Sequence, residues 1–134
     1  MVRLGLVVAE FNRPITERME EAAVDAAERR GATVVETKAV PGAYDSPLAA
    51  DRLARRPDIE AVAVIGAIIT GDTDHDQVIA TAAAQSLTKV SLDRDTPVTL
   101  GVTGPGMTAE EASDRTDKGA DAVESAVALV EGAA

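Results

Sequence analysis

The chain has 134 residues, with 23 acidic and 13 basic side chains, a formal net charge of −10, no cysteine and one histidine. This composition excludes disulfides, thiolate nucleophiles and cysteine-bound metals, and it argues against nucleic-acid binding because a polyanion would be repelled. Since a domain typically has about 100–200 residues, we expect residues 1–134 to form a single domain.

Strand-like apolar segments and helical segments alternate four times along the chain. The patterns predict strands over residues 2–9, 33–40, 59–69 and 97–102, and helices over residues 13–30, 45–56, 74–92 and 108–130. Asn12 is a candidate N-cap of the first helix, Gly31 a stop signal, and Thr108 with Glu111 has the form of a capping box. The alternation favours the α/β class, with a four-stranded parallel sheet and helices on both faces.

The residues best suited to chemistry follow the carboxyl ends of the predicted strands. In open parallel sheets, ligands bind at that edge. Both aromatic residues, the histidine and most of the glycine and proline residues of the loops fall into four segments: residues 10–12, 41–45, 70–75 and 103–107. We therefore expect the functional site at this edge.

Residues 70–75 give the strongest local signal for a site. They lead from a strand into a helix, where backbone N–H groups attract phosphate or carboxylate. His75 lies in the first helical turn, and an imidazole can donate and accept protons near neutral pH. The alternative is a solvated helix start with a surface histidine. Because Asp72, Asp74 and Asp76 lie beside this predicted anion site, phosphate binding requires a compensating cation.

Arg115 and Lys118 are candidates for that cation, since a guanidinium forms bidentate hydrogen bonds with phosphate. The alternative is a solvated helix face that pairs with neighbouring aspartates. Phe11 either stacks on a flat heterocycle or packs on the following helix. Asp45 either accepts hydrogen bonds from a ligand or caps the second helix.

Taken together, these loops resemble those of the lumazine synthase family, over essentially the whole chain. Four motifs carry the resemblance: residues 9–12 (AEFN), 40–47 (VPGAYDSP), 66–75 (GAIITGDTDH) and 97–102 (PVTLGV). The second and third motifs, in this order and spacing, are the specific ones. The resemblance implies a flavodoxin-like three-layer αβα fold and homopentamers, which in many members form an icosahedral capsid of sixty subunits.

The family's reaction is a transferase step of riboflavin biosynthesis. The resemblance implies condensation of 5-amino-6-(D-ribitylamino)uracil with 3,4-dihydroxy-2-butanone 4-phosphate, which yields 6,7-dimethyl-8-ribityllumazine. It implies that neither a metal nor an organic cofactor is required. The expected partners are therefore small-molecule substrates and other copies of the chain, with active sites between subunits.

The resemblance also assigns individual positions to the two substrates. Contacts with the pyrimidine and ribityl groups are implied for eight residues: Phe11, Ala43, Tyr44, Asp45, Ala67, Ile68, Ile69 and Leu100. In this set Phe11 would stack on the ring, and residues 67–69 would use backbone groups. Asp72 and Thr73 would present amides to the phosphate.

His75 is implied to transfer protons, while the neighbouring subunit supplies Leu100 and, for the phosphate, Arg115. Asn12 and Lys118 are secondary candidates. Many family members carry phenylalanine where Leu100 stands. Phosphate binding at residues 70–75 requires a cation, and the resemblance implies that a second copy supplies it.

Two other functions stay open at this point. One is an archaeal-type riboflavin synthase, a relative of the same fold that dismutates the lumazine product. The other is a non-catalytic lumazine- or flavin-binding shell protein. Phe11 with Asn12 and the turn over residues 70–75 favour the lumazine synthase, and the presence of His75 and Arg115 favours an enzyme.

Location and salt tolerance are predicted from composition. Apolar runs are shorter than the roughly 18 residues of a membrane span, and the N-terminal segment lacks the regions of a signal peptide, so we expect a cytoplasmic protein without a membrane partner. Only three of the basic residues are lysines. An acid-rich, lysine-poor surface suits concentrated salt, which screens self-repulsion, and favours a halophilic protein over an ordinary acidic one.

Overall fold

The molecule is built on an open parallel sheet with helices on both faces. The computed structural model describes residues 1–71 and 74–132. The strands are β1 (Arg3–Ala9), β2 (Thr33–Val40), β3 (Ala61–Ala67) and β4 (Val98–Thr103). The helices are α1 (Ile15–Arg29), α2 (Ser46–Ala54), α3 (His75–Arg94), α4 (Ala109–Ser113) and α5 (Lys118–Glu131), and a 3₁₀ turn (Ala43–Asp45) precedes α2. These elements confirm the predicted three-layer α/β fold with four parallel strands.

The strand order places a topological switch point at the centre of the sheet. The order is β2-β1-β3-β4 with every neighbouring pair parallel. The chain runs outward from β1 to β2 and then returns across β1 to β3, so the direction of winding reverses between β1 and β3. Ligands of such sheets bind in the crevice outside the carboxyl ends at this point.

Each face of the sheet has its own apolar layer. Successive side chains of a strand point to opposite faces, so Leu6 and Val7 of β1 belong to different layers. The first layer packs on α1 and α5 and includes Leu6, Met19, Ile65, Val123 and Val127. The second layer packs on α2 and α3 and includes Val7, Leu53, Val64, Leu87 and Val102. The two layers fix the strand ends that carry the candidate site.

The predicted helix over residues 108–130 is wrong as a continuous element, because the chain forms α4 and α5 with a turn between them. The capping box is confirmed, since Glu111 N–H donates to Thr108 Oγ1 at 3.2 Å and Thr108 N–H donates to Glu111 Oε1 at 3.0 Å. Helix α5 packs directly on α1: a Cβ at Gly119 would lie 2.1 Å from the carbonyl oxygen of Met19. This close contact sets the direction of α5, and α4 takes no part in it.

Asn12 does not cap α1 with its side chain as predicted. Pro14 occupies the N-cap position without a side-chain hydrogen bond, and Asn12 has a φ of 71°, a left-handed conformation that asparagine tolerates. Its side-chain amide donates instead to the carbonyl oxygen of Ala67 at 2.6 Å. Asn12 therefore joins the carboxyl end of β1 to that of β3. Gly31, with a φ of 68°, follows the end of α1 as predicted.

Helix α3 is the longest element, with 20 residues, and much of its surface faces outward. Its buried residues are Asp76, Ala83 and Leu87, whereas Val78 and Leu92 are exposed apolar side chains. Within residues 1–71 and 74–132, none of the helices combines the length and the apolar character that crossing a membrane demands.

Candidate active site

A cavity of about 210 Å³ lies at the switch point, between the ends of β1 and β3 and the start of α3. We call it the imidazole cavity. Its lining is Phe11, Asn12, Gly42, Ala43, Tyr44, Asp45, Ala67, Ile68, Ile69, Gly71, His75, Asp76 and Ile79. The structure thus brings together His75, Asn12 and every residue predicted to contact the pyrimidine substrate except Leu100. A wider depression of about 580 Å³, around Ile59 and Thr96 at the amino ends of the strands, holds none of the predicted residues.

Phe11 presents an apolar ring at the mouth of this cavity. Its backbone N–H donates to the carbonyl oxygen of Pro41 at 2.9 Å, which ties the loop after β1 to the loop after β2. The ring packs against Gly42, where a Cβ would lie 2.7 Å from the nearest ring carbon. Because the side chain is still 66% exposed, most of the ring is available for stacking on a flat ligand.

Asp45 lines the imidazole cavity at the end of the 3₁₀ turn. Its Oδ2 accepts a hydrogen bond from Gly42 N–H at 3.0 Å, so it caps the turn and makes no side-chain cap of α2 itself. Ser46 Oγ donates to the carbonyl oxygen of Ala43 at 2.7 Å and closes the same turn. Since a carboxylate accepts several hydrogen bonds, Asp45 retains the capacity to accept from a ligand.

The backbone after β3 is held from both sides. The Ala67 carbonyl accepts from the Asn12 amide, and Ile68 N–H donates to the carbonyl oxygen of Thr103 at 2.8 Å. Thr70 N–H donates to the carbonyl oxygen of Met107 at 2.7 Å. These bonds fix the position of the backbone segment that is predicted to contact the pyrimidine.

His75 is the first residue of α3, and its exposed side chain lines the imidazole cavity. The next residue, Asp76, is 6% exposed, and its Oδ2 accepts a hydrogen bond from Gly106 N–H at 3.0 Å. The predicted phosphate-binding residues Asp72 and Thr73 lie outside the described residues.

The predicted cations line a different cavity, of about 370 Å³, beside the end of β4. We call it the cation cavity; its lining is Val102, Thr103, Gly104, Met107, Arg115, Asp117, Lys118 and Asp121. Both cationic side chains are exposed. In the described part of the chain, neither Arg115 nor Lys118 forms a salt bridge, which counts against the alternative of a helix face paired with neighbouring aspartates.

Leu100 belongs to neither lining. It lies in β4, an edge strand, and its side chain is 44% exposed. Alternation along the strand puts it on the same face as Val98 and Val102, which pack toward α3. Within one chain, the structure therefore leaves Leu100 apart from the imidazole cavity, and it separates Arg115 from His75.

The resolved electrostatic perturbations lie away from the imidazole cavity. The hydrogen bond from Arg94 Nε, at 2.8 Å, lowers the pKa of Asp51. Hydrogen bonding by Arg56 lowers the pKa of Asp58, and the Thr108 backbone N–H lowers the pKa of Glu111. Among residues 1–71 and 74–132, no group of three or more His, Asp or Glu side chains is arranged to hold a metal ion.

Four lining residues were not predicted as site residues from the sequence: Gly42, Gly71, Asp76 and Ile79. Ile79 follows His75 by four positions, so helical periodicity places both on one face and was the available signal. Gly42 had no such signal, because its importance lies in the space it leaves for the Phe11 ring. Asp76 was noted only as a negative charge, and its burial depends on a loop 30 residues away.

Comparison with known proteins identifies the family of this chain. The family model described as 6,7-dimethyl-8-ribityllumazine synthase matches residues 1–133. The chain is 70% identical, over 98% of both chains, to the 6,7-dimethyl-8-ribityllumazine synthase of Halobacterium salinarum, and 67% identical over the same shares to that of Halorubrum lacusprofundi. It is 48% identical to the protein of the same name from Methanocaldococcus jannaschii, over 97% of this chain and 92% of the relative. The chain therefore belongs to the 6,7-dimethyl-8-ribityllumazine synthase family.

Proposed function

We propose that this chain condenses 5-amino-6-(D-ribitylamino)uracil with 3,4-dihydroxy-2-butanone 4-phosphate in an active site that two adjoining copies share. Family membership makes the chain a transferase of riboflavin biosynthesis. The proposal adds where the reaction takes place: in the imidazole cavity of one copy, completed by the cation cavity of the next.

The observation that carries this proposal is the separation of charge between the two cavities. In the described part of the chain, the lining of the imidazole cavity includes the carboxylates Asp45 and Asp76 but no lysine or arginine. A substrate phosphate at such a site needs a cation, and the net charge of −10 makes the need stronger. Arg115 and Lys118 face a cavity of their own, so a second copy is the source that fits.

The size of the imidazole cavity supports the same conclusion. Its volume of about 210 Å³ is below the roughly 300–1,000 Å³ of typical ligand sites. Two substrates together need more enclosure than this cavity provides. The exposed edge of β4, with Leu100, is an apolar surface suited to close the opening from a neighbouring copy.

In the shared site, we assign each group the role that the family resemblance implies. Phe11 stacks on the pyrimidine ring, while Ala43, Tyr44 and Asp45 line the ribityl side. Residues 67–69 contact the ring edge through backbone groups. Arg115 of the next copy binds the phosphate, with Lys118 as a second cation, and Asp72 and Thr73 offer backbone amides.

The chemistry requires proton transfers and correct positioning. The 5-amino group attacks the ketone, and an imine forms with loss of one water. Elimination of phosphate leaves an enol that becomes a carbonyl, and the ribitylamino nitrogen attacks this carbonyl and closes the ring with loss of a second water. His75 is the group that moves protons. Because holding two reactants in register supplies about 7–11 kcal/mol, whereas one general acid–base contributes about 10²–10⁴-fold, positioning is the larger contribution.

We extend the proposal to the assembly and its setting. A head-to-tail contact between the imidazole cavity and the cation cavity forms a ring when the rotation between copies closes, and we propose that it closes as a homopentamer, alone or in a sixty-subunit capsid of pentamers. Val78, Leu92 and Leu129 are exposed apolar side chains that association would bury. Residues 1–134 act as one domain, in a cytoplasmic enzyme whose acid excess adapts it to concentrated salt.

Mixing of variant subunits tests the shared site. We expect His75→Ala and Arg115→Ala to be impaired separately, and co-assembly in equal amounts to restore complete machinery at about one quarter of the sites, because each site takes His75 from one copy and Arg115 from the next. The measurement is the absorbance of the lumazine product, with the assembly state checked by light scattering.

A second mixture controls for subunit exchange. When the wild-type chain co-assembles with the double variant in equal amounts, about one quarter of the sites are intact if the residues come from different copies, and about half if they come from one copy. Activity near one half, together with no gain in the first mixture, would contradict the shared site. Absence of lumazine formation by the wild-type chain would contradict the reaction itself.

A further inference from the structure

We propose that Asp76 is a positioning residue that holds residues 103–107 against the start of α3, and thereby sets the geometry of both active sites to which one copy contributes. The inference rests on the proposed function, because it assumes that His75 and Arg115 of one copy serve two neighbouring sites. In this inference Asp76 holds a loop in place; it does not cap a helix, form an ion pair or react with a substrate.

The environment of Asp76 is unusual for a carboxylate. The side chain is 6% exposed, and burying a charged group is costly unless hydrogen bonds compensate. Its Oδ2 accepts from Gly106 N–H at 3.0 Å. Asp76 is not the N-cap of α3, since Asp74 occupies that position. The carboxylate thus acts across the fold, from the first turn of α3 to the loop after β4.

The loop that Asp76 contacts is already fixed to the backbone of the imidazole cavity. The carbonyl oxygens of Thr103 and Met107 accept hydrogen bonds from Ile68 and Thr70, at 2.8 and 2.7 Å. Between these two bonds the chain turns through Gly104 and Gly106, with φ values of 92° and 80°. Asp76 holds this turn at Gly106, between the residues that form the two bonds to the β3 side.

Gly104 brings the same turn into close contact with the imidazole cavity. A Cβ at Gly104 would lie 2.2 Å from the carbonyl oxygen of Ile68, so the two backbones touch. The loop therefore cannot shift toward β3, and the hydrogen bond to Asp76 keeps it from moving away. Ile68 is one of the residues that line the imidazole cavity.

On its other side, the loop forms part of the cation cavity. Thr103, Gly104 and Met107 line that cavity together with Arg115 and Lys118. Asp76 and its neighbour His75 line the imidazole cavity. One hydrogen bond therefore links the helix start that carries the proton-transfer group to the loop that shapes the anion-binding surface given to the next copy.

Two substitutions separate the hydrogen bond from the charge. Asp76→Asn keeps a carbonyl oxygen that can accept from Gly106 N–H, whereas Asp76→Ala removes the acceptor. For Asp76→Ala we expect kcat/KM to fall about 10- to 100-fold, the range for loss of a hydrogen bond to a charged group, through both a lower kcat and a higher KM for the phosphate substrate. Asp76→Asn is expected to recover most of the loss.

Asp93→Ala is the matched control. It removes a carboxylate from the same helix, about 25 Å away along the axis, where Asp93 pairs with Lys89 on the exposed surface. If Asp76→Ala fails to assemble, Asp76→Ser, with a shorter polar side chain, takes its place.

Amide hydrogen exchange at Gly106 gives a readout that does not depend on activity. We expect faster exchange in Asp76→Ala and exchange near the wild-type rate in Asp76→Asn and Asp93→Ala. Unchanged exchange in Asp76→Ala would overturn the inference, and so would a lowered Tm with unchanged kcat and KM in the assembled fraction. Equal losses in the Asn and Ala variants would also overturn it. A wild-type chain that forms no lumazine contradicts the proposed function, while the exchange result still decides the role of Asp76.

Discussion

The two cavities at the carboxyl edge of the sheet are opposites in composition. The imidazole cavity combines aromatic rings, an imidazole and carboxylates, whereas the cation cavity combines Arg115 and Lys118 with aspartates and small side chains. The first is suited to a flat heterocycle and the second to an anion. Among residues 1–71 and 74–132, neither lining combines aromatic rings and an imidazole with a basic side chain.

Under the proposed shared site, a strongly acidic chain divides its chemistry between two copies. Within one copy, Asp45 and Asp76 line the imidazole cavity, and Arg115 lines the cation cavity with Lys118, Asp117 and Asp121. In the described residues, Arg115 of the cation cavity forms no salt bridge. The experiments below test that division, beginning with the largest expected effect.

Loss of the imidazole is expected to have the largest effect. For His75→Ala we expect kcat to fall by about 10²-fold, at the low end of the 10²–10⁴-fold range for general acid–base catalysis, because positioning of the substrates persists. Steady-state kinetics of the assembled variant is the measurement. His75→Gln, which keeps hydrogen bonding without titration near neutral pH, is the matched variant and should be similarly slow. Complete inactivity of correctly assembled His75→Ala would contradict the dominance of positioning.

Loss of the guanidinium is expected to act on binding. For Arg115→Ala we expect the KM for the phosphate substrate to rise about 10- to 100-fold, the worth of a hydrogen bond to a charged group, with a smaller change in kcat. Arg115→Lys should recover part of the loss, since an ammonium keeps the charge but not the bidentate geometry. Lys89→Ala, on the exposed surface of α3, controls for loss of a positive charge. An unchanged KM in Arg115→Ala would refute the assignment.

The fold was predictable from the sequence to the extent that local patterns decide it. The four strands and their parallel direction followed from apolar periodicity and the alternation with helices. The break between α4 and α5 did not, because it depends on contact of Gly119 with the backbone of Met19, which no local pattern encodes. The prediction that Asn12 caps α1 was wrong for the same reason, since its side-chain amide bonds to the carbonyl oxygen of Ala67, 55 positions away.

The candidate site was likewise predictable only in part. The loops were identified from strand ends, and the family resemblance supplied roles for individual residues. The sequence could not predict that Gly42 accommodates the ring of Phe11, or that Asp76 is buried against the loop after β4. Both depend on distances between segments that are separate in the chain.

Removal of the Phe11 ring tests whether the imidazole cavity binds the pyrimidine substrate by stacking. For Phe11→Ala we expect the KM for the pyrimidine substrate to rise about 2- to 10-fold, in line with the 0.5–1.5 kcal/mol of aromatic stacking, and the KM for the phosphate substrate to stay the same. Titration with each substrate in turn separates the two constants. Phe11→Tyr keeps a ring and should bind the pyrimidine as the wild type does. Equal effects on both KM values would indicate that Phe11 supports the loop and does not stack on the ligand.

The smallest expected effect concerns the ion pairs outside both cavities, where Asp51 accepts a hydrogen bond from Arg94 and its pKa lies below the ordinary 3.8. A carboxyl group whose pKa is lower in the folded state stabilises the fold above its unfolded-state pKa, and this contribution is lost as pH falls through the folded-state value. Asp51→Asn should therefore lower Tm slightly at pH 7, and the difference from wild type should shrink as pH falls through 3.8 and vanish below the folded-state pKa. Salt should shrink it as well, because the pair is partly exposed and screened. The measurement is Tm against pH at fixed protein concentration, with Asp93→Asn as the control on an exposed pair; a difference that persists in acid would mean that Asp51 stabilises the fold through packing and not through its charge.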